Sequence, residues 1–180
     1  MLDRAHERAR ALDGEIEKSL SSIILPSSKD VVAQLRTYLL RQEDEIGTGN
    51  NVYRILRTTT SRNAVIITLG PTFDKGPSDE HFHLESGARL SFGVTLKETN
   101  GRCALVAYRF QLNLPTTHSP SFYRFDLNDK LHAQPLQEPR CHIHPGLDMV
   151  RLPCPPLAPI EVLDRIFLVI ESELLSTLAR

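Results

Sequence analysis

The spacing of apolar residues along the chain is helical at both ends and alternating in between. A first amphipathic helix is predicted before Pro26 from apolar residues at helical spacing, which are Ala5, Ala9, Leu12, Ile16 and Leu20. Ser27 suits the N-cap of a second helix, whose apolar stripe consists of Val31, Leu35, Tyr38 and Leu39. We expect residues 1–50 to form an N-terminal helical extension, packed on or beside a core built by residues 51–180, within one globular domain.

After residue 51 the spacing of apolar residues becomes two, which is the period of a half-buried strand. The β-branched runs Val52–Arg57 and Ala64–Leu69 predict a first hairpin. A second hairpin is predicted around Asn100-Gly101, because both residues tolerate the positive φ that a tight turn between alternating strands requires. Two further strands are predicted at Ser121–Asp126 and at Arg140–His144.

A proline-rich link that begins at Pro153 ends the strands, and the strongly apolar segment Ile160–Leu178 predicts a C-terminal helix. Its apolar residues cover so much of the circumference that we expect this helix to be buried between layers or against a partner. The combined pattern predicts an α+β fold, in which a mostly antiparallel sheet of five to six strands is covered by N-terminal helices and a C-terminal helix.

Charge is unevenly distributed along the chain, although the formal net charge is only −1. Residues 89–151 hold 8 basic and 5 acidic side chains together with four histidines, between two acidic ends. The field of the whole chain is too weak for non-specific nucleic-acid binding, so any polyanion would have to meet a local basic patch. The sequence has no Gly-x-Gly-x-x-Gly, phosphate-loop lysine or Gly-x-Ser-x-Gly pattern, so nucleotide-dependent and serine-hydrolase chemistry have no support.

Hydropathy and cysteine usage predict where the protein is located. No apolar run approaches the roughly 20 residues that a bilayer-spanning helix requires, and residues 1–7 are too charged to begin a signal peptide. The three cysteines show no C-x-x-C spacing, which argues against a disulfide framework and against a zinc finger. We therefore expect a cytoplasmic protein with reduced thiols and no membrane partner.

The most concentrated group of reactive side chains lies in the segment Arg140-Cys141-His142-Ile143-His144. At the period of a strand, Arg140, His142 and His144 leave on one face. Cleavage of RNA through its 2′-hydroxyl needs a base, an acid and a cation that faces the phosphate oxygens. Two imidazoles can divide the first two roles near pH 7, and an arginine supplies the third. Arg140, His142 and His144 are therefore the predicted catalytic residues.

Three further side chains are predicted to bind the substrate. Arg124 and Asp126 share one face of the preceding strand, and Arg151 follows the histidine segment. Either Arg124 or Arg151 could hold a second phosphate, while Asp126 could orient an imidazole or pair with Arg124. This hypothesis uses no metal and no cofactor.

Two other interpretations of the histidines stay open. Histidines at positions i and i+2 of a strand lie roughly 6 to 7 Å apart and can serve simply as surface polar residues. A second pair, His81 and His83, is followed by Glu85. If that pair joined His142 and His144, the four nitrogens and one carboxylate would suit zinc or another transition metal.

The run from about Gly87 to Leu174 resembles the TumE-like toxin family of bacterial toxin–antitoxin modules. The resemblance lies in a strand hairpin, in Arg124-Phe125-Asp126, in the pair His142 and His144, and in a C-terminal helix after a proline-containing link. It covers about half of the chain. After Asp126 the sequence departs from the family's Asn-Ala-Pro-His-His, and residues 1–50 have no counterpart. The resemblance implies a toxin-like or defence-associated protein, paired with a small antitoxin.

Two functions follow as hypotheses, and whether the chain is an enzyme stays open between them. The first is a toxin-like protein of a bacterial toxin–antitoxin or defence module, which acts on RNA by metal-independent acid–base cleavage. The alternative is a non-catalytic protein-interaction subunit of such a complex. In both cases we expect a protein partner, either an antitoxin-like protein or a subunit of a defence complex, and RNA is a further candidate partner.

Overall fold

The computed structural model describes residues 11, 14–61, 64–70, 80–99, 102–130 and 139–178. Its helices are α1 (residues 14–22), α2 (Ser28–Ile46), α3 (Val52–Ile55) and α4 (Pro159–Leu178). Its strands are β1 (Leu56–Ser61), β2 (Ala64–Leu69), β3 (Phe82–His83), β4 (Arg89–Thr99), β5 (Arg102–Asn113), β6 (Phe122–Leu127), β7 (Cys141–Pro145) and β8 (Leu152–Pro153).

The described strands form one sheet in the order β1-β2-β4-β5-β6-β7-β8, with β3 paired beside β4. Every pairing in this sheet is antiparallel. The predicted α+β fold is therefore confirmed. The described part of the sheet has eight strands where five to six were expected, because the two-residue strands β3 and β8 are too short to produce an alternating pattern.

Over residues 14–61 the chain follows the predicted helix signals with one exception, whereas Ala5, Ala9 and Leu12 of the first predicted helix lie outside the described residues. The Ser27 side chain caps α2 by accepting a hydrogen bond from the backbone N–H of Asp30, as expected for an N-cap. The exception is Val52–Arg57, which was predicted to be a strand throughout. Residues Val52–Ile55 instead form the short helix α3, because the Asn51 side chain caps it by accepting from the N–H of Arg54.

One face of the sheet carries the hydrophobic core. Helix α4 lies on this face and packs against α2, where the Tyr38 ring lies 5.8 Å from the Phe167 ring and the Tyr38 hydroxyl donates to Asp164. Helices α1 and α2 contribute buried residues to the same core. The core-facing residues of the central strands are Phe92, Val94, Leu96, Tyr108, Phe110, Leu112, Phe125, Leu127 and Cys141.

The opposite face of the sheet carries polar side chains from β4 to β7. Strand register aligns Arg109, Asp126 and His142 in one row across β5, β6 and β7. The next row aligns Gln111, Arg124 and His144. Because side chains alternate between the faces of a strand, both rows lie on the side away from α4.

The part of the chain that the structure describes has no helix long and apolar enough to cross a membrane.

Candidate functional site

Asp126, in the middle of β6, is the centre of the polar cluster. Its side chain is buried, and its two oxygens accept hydrogen bonds from two arginines: Oδ1 from Arg109 Nε at 3.0 Å and Oδ2 from Arg124 Nε at 2.8 Å. Both histidines of β7 also approach Oδ2, with His144 Nε2 at 3.3 Å and His142 Nε2 at 3.7 Å. A carboxylate is stable in this buried position because two guanidinium groups compensate its charge.

The hydrogen bonds of the two imidazoles define which ring nitrogen carries the proton. His142 Nδ1 lies 2.6 Å from the Pro139 carbonyl oxygen, and His144 Nδ1 lies 3.4 Å from that of Leu147. A carbonyl oxygen only accepts, so each Nδ1 carries a hydrogen. His144 Nε2 lies 2.8 Å from Arg124 Nη2, which only donates. The Nε2 lone pair of His144 therefore accepts a hydrogen bond from Arg124.

Burial determines the protonation of His142, whose ring centroid lies 4.8 Å from that of His144. Loss of solvation lowers the pKa of His142, and the hydrogen bond to Pro139 and the charge of Asp126 only partly oppose this effect. The charge of the half-buried Arg151 adds slightly to the lowering of that pKa. His142 is consequently neutral near pH 7, with its Nε2 lone pair on the side of Asp126.

Arg124 connects the buried cluster to the molecular surface. Besides Asp126 and His144, its guanidinium binds Asp148, with Nη1 and Oδ1 separated by 2.6 Å. The Arg124 side chain is 15% exposed, whereas that of Asp148 is 73% exposed. The two histidines are almost completely buried, at 2% and 0% exposure. The pair between Arg124 and Asp148 therefore joins the buried cluster to an exposed side chain.

Arg140 does not join the histidines, although a strand's period placed all three on one face. Its Nε donates to the Asn128 carbonyl oxygen at 3.0 Å, and its Nη1 contacts the carboxylate of Glu17 on α1. The reason is local: β7 begins at Cys141, so the alternation of side chains does not extend back to residue 140. The structure thus separates this predicted catalytic cation from His142 and His144.

The second histidine pair also lies apart from the cluster. His81 and His83 have ring centroids 6.4 Å apart, and the backbone of His83 is held by the side chain of Asn50. Within the described ranges, Asp126, His142 and His144 are the only group of three or more possible metal ligands that lie close together. The two histidine pairs therefore do not form one site.

Sequence reasoning missed two members of the cluster. Arg109 is a charged residue in the middle of a long strand, between the buried Tyr108 and Phe110. A charged residue at this place in an alternating strand was visible in the sequence and could have indicated Arg109. Asp148 lies in the link between β7 and β8, where no periodic pattern points to Arg124. Its role depends on the three-dimensional path of that link.

Comparison with protein-family models, with curated proteins and with solved structures gives no match for this chain. The geometry of the cluster is therefore the basis for the functional proposals that follow.

Proposed function

We propose that the chain is a toxin-like protein of a bacterial toxin–antitoxin or defence module, and that it acts on RNA through Arg124, Asp126, His142 and His144. One observation carries the proposal. The two segments that resemble the TumE-like family are separated in sequence but are neighbours in the sheet, where Arg124 pairs with His144 and Asp126 pairs with His142. Side chains that converge in this way have the types that acid–base cleavage requires.

The proposed reaction is transfer of the phosphodiester to the ribose 2′-hydroxyl. One imidazole removes the 2′-hydroxyl proton as that oxygen attacks phosphorus, and the other, in its protonated form, gives a proton to the departing 5′ oxygen. The products are a 2′,3′-cyclic phosphate and a 5′-hydroxyl. Asp126 stabilises the protonated imidazole, and Arg124, after it releases Asp148, faces the charge that builds on the phosphate oxygens.

Growth of bacteria after induced expression tests this proposal. The native chain is expected to arrest growth, and the double variant His142→Gln/His144→Gln is expected to lose this effect while it keeps the native circular-dichroism spectrum. The matched control is His81→Gln/His83→Gln, which changes two histidines outside the cluster and should still arrest growth. Arrest that persists in the His142→Gln/His144→Gln variant would contradict the proposal.

A second candidate function, a non-catalytic interaction subunit, is favoured by a different observation. The link between β7 and β8, together with the first residue of β8, exposes four apolar side chains beside the cluster, and these belong to Leu147, Met149, Val150 and Leu152. Exposed apolar residues that are contiguous in this way are typical of a protein-binding surface. For an interaction subunit, the double variant Met149→Asp/Leu152→Asp should abolish co-purification with the protein that the neighbouring gene encodes. The variant His142→Gln/His144→Gln should leave this co-purification unchanged.

A further inference from the structure

We propose that Asp126, His142 and His144 bind one divalent transition-metal ion, with zinc as the best match, through Asp126 Oδ2 and the two Nε2 atoms. This inference goes beyond the proposed function. A metal would occupy the two Nε2 atoms that acid–base cleavage uses, so the metal-bound form and the cleaving form are different states of the site. Metal binding can be measured whether or not the chain acts on RNA. The three ligand atoms lie within 4.8 Å of one another. They come from neighbouring positions on two paired strands, so the backbone already holds them together.

The distances between the ligand atoms suit a zinc ion. Zinc binds imidazole nitrogen and carboxylate oxygen at about 2.0 to 2.2 Å in tetrahedral sites, so two ligand atoms in such a site are separated by about 3.3 Å. His144 Nε2 and His142 Nε2 lie 3.3 and 3.7 Å from Asp126 Oδ2. The two Nε2 atoms lie within 4.8 Å of each other, so metal binding would require the side chains to adjust until all three ligand atoms reach a common point.

The surroundings of the three ligands also match those of a metal site. Histidine ligands of metals usually donate their other N–H to a carbonyl or carboxylate, which orients the ring. Here Pro139 and Leu147 supply those carbonyl oxygens. Arg109 binds Asp126 through Oδ1 and leaves Oδ2 on the side of the histidines. Two imidazoles and one carboxylate, with one position open, form a donor set that suits catalytic zinc and non-haem iron.

Arg124 is the group that competes with the metal. Its guanidinium binds both Asp126 Oδ2 and His144 Nε2, which are two of the three ligand atoms. Metal binding therefore requires Arg124 to move away, and its contact with the exposed Asp148 provides a position toward the surface.

Zinc titration of the full-length chain tests the proposal, after treatment with a chelator and dialysis. Competition with a chromophoric chelator is expected to show one bound zinc per chain. His142→Gln, His144→Gln and Asp126→Asn should each weaken binding by more than the roughly 10- to 100-fold that loss of an outer-shell partner costs. The matched control His81→Gln/His83→Gln should keep the affinity and the stoichiometry of the native chain.

Arg124→Gln gives an expectation of opposite sign. Even in bulk water, a positive unit charge about 4 Å from a divalent cation repels that cation. The free energy of this repulsion is larger than the free energy of a tenfold change in affinity. Removal of the Arg124 charge should therefore tighten zinc binding by roughly tenfold or more. A merely structural role of Arg124 would weaken zinc binding in this variant, and that result would contradict the proposal.

The native chain provides a readout that does not depend on the folding of any variant. Zinc is expected to shift the Nε2 resonances of His142 and His144 in ¹⁵N spectra and to leave those of His81 and His83 unchanged. Absence of zinc binding, or binding that shifts His81 and His83 instead, would overturn the proposal. Growth arrest without zinc binding supports the proposed function and contradicts the metal site. Zinc binding without growth arrest supports the metal site and contradicts the proposed function.

Discussion

Asp126 is the residue on which the charge balance of the cluster depends. It is buried, and it accepts hydrogen bonds from both Arg109 and Arg124. Asp126→Asn would remove the buried negative charge that both Arg109 and Arg124 bind, and Arg124 would keep its pair with Asp148. Loss of one partner of a buried ion pair costs about 3 to 5 kcal/mol, and we expect about 3 kcal/mol here, since Arg109 is partly exposed to solvent. Urea unfolding followed by circular dichroism measures the loss.

Glu45→Gln is the control for this prediction. Glu45 pairs with Arg41 on the exposed surface of α2, at 3.0 Å and one helical turn away. Ion pairs of this kind contribute little to stability because solvent screens them. The midpoint of unfolding should therefore stay close to that of the native chain. An equal effect of Asp126→Asn and Glu45→Gln would mean that the cluster does not support the fold as the structure indicates.

His142 makes the stability of the chain depend on pH. Burial lowers its pKa in the folded state, whereas an unfolded histidine titrates near pH 6.5. As the pH falls through this value, the unfolded chain takes up a proton at this histidine more readily than the folded chain does. The free energy of unfolding should then decrease by up to about 1.4 kcal/mol per pH unit from this residue.

The measurement is thermal unfolding between pH 5 and 7 in the presence of a chelator, for the native chain and for His142→Gln. The variant has no imidazole at this position, so its melting temperature should depend less on pH. An equal dependence on pH in both proteins would show that His142 is not the group responsible. His118→Gln, which changes a histidine outside the cluster, serves as the control.

The sequence allowed part of the site to be predicted at the level of single residues. Alternation in a strand correctly placed His142 and His144 on one face, and likewise Arg124 and Asp126 on one face of the preceding strand. The direction of Arg140 could not be predicted in this way, because it depends on the residue at which β7 begins and on the position of Glu17 in a distant helix.

Helix α4 is the element whose predicted burial is most directly testable. Ile166 is fully buried in the core, whereas Leu168 on the same helix is 57% exposed. Ile166→Ala should lower the free energy of unfolding by about 2 to 5 kcal/mol, because it removes buried apolar surface and leaves a cavity. Leu168→Ala should change it by less than about 0.5 kcal/mol. Denaturant unfolding of both variants checks the difference, and equal losses would contradict the described packing of α4.

The elements that the sequence predicted well are long and strongly patterned. Strands β4 and β5 pair up to Thr99 and Arg102, on either side of the Asn-Gly turn predicted between them, whose two residues lie outside the described part of the chain. The elements that were missed are α3, β3 and β8, which have two to four residues each. Such short elements are determined by caps and by neighbouring strands rather than by periodicity.

The whole molecule determines two properties that local patterns could not give. Strand register brings residues 124–126 against residues 142–144. The depth of the cluster is the second property: a solvated histidine segment was one open interpretation, and the structure buries both imidazoles almost completely. Burial depends on the loops and strands that surround a side chain, and these are separated from it in sequence.

Metal binding at the proposed site should stabilise the whole fold. A ligand that binds only the native state, and whose free concentration is 100 times its dissociation constant, adds about 2.7 kcal/mol to the free energy of unfolding. Zinc should therefore raise the melting temperature of the native chain and of His81→Gln/His83→Gln. It should have little effect on His144→Gln. Equal stabilisation of all three proteins would place the zinc elsewhere.

The central claim is that His142 and His144 turn their Nε2 lone pairs toward Asp126, and the ring-nitrogen spectrum of the native protein tests it most directly. A long-range ¹H–¹⁵N correlation spectrum at pH 7, recorded with a chelator present, distinguishes the two neutral tautomers of each histidine. We predict that both residues carry their proton on Nδ1, as their contacts with Pro139 and Leu147 require. A proton on Nε2 of either ring would contradict the account.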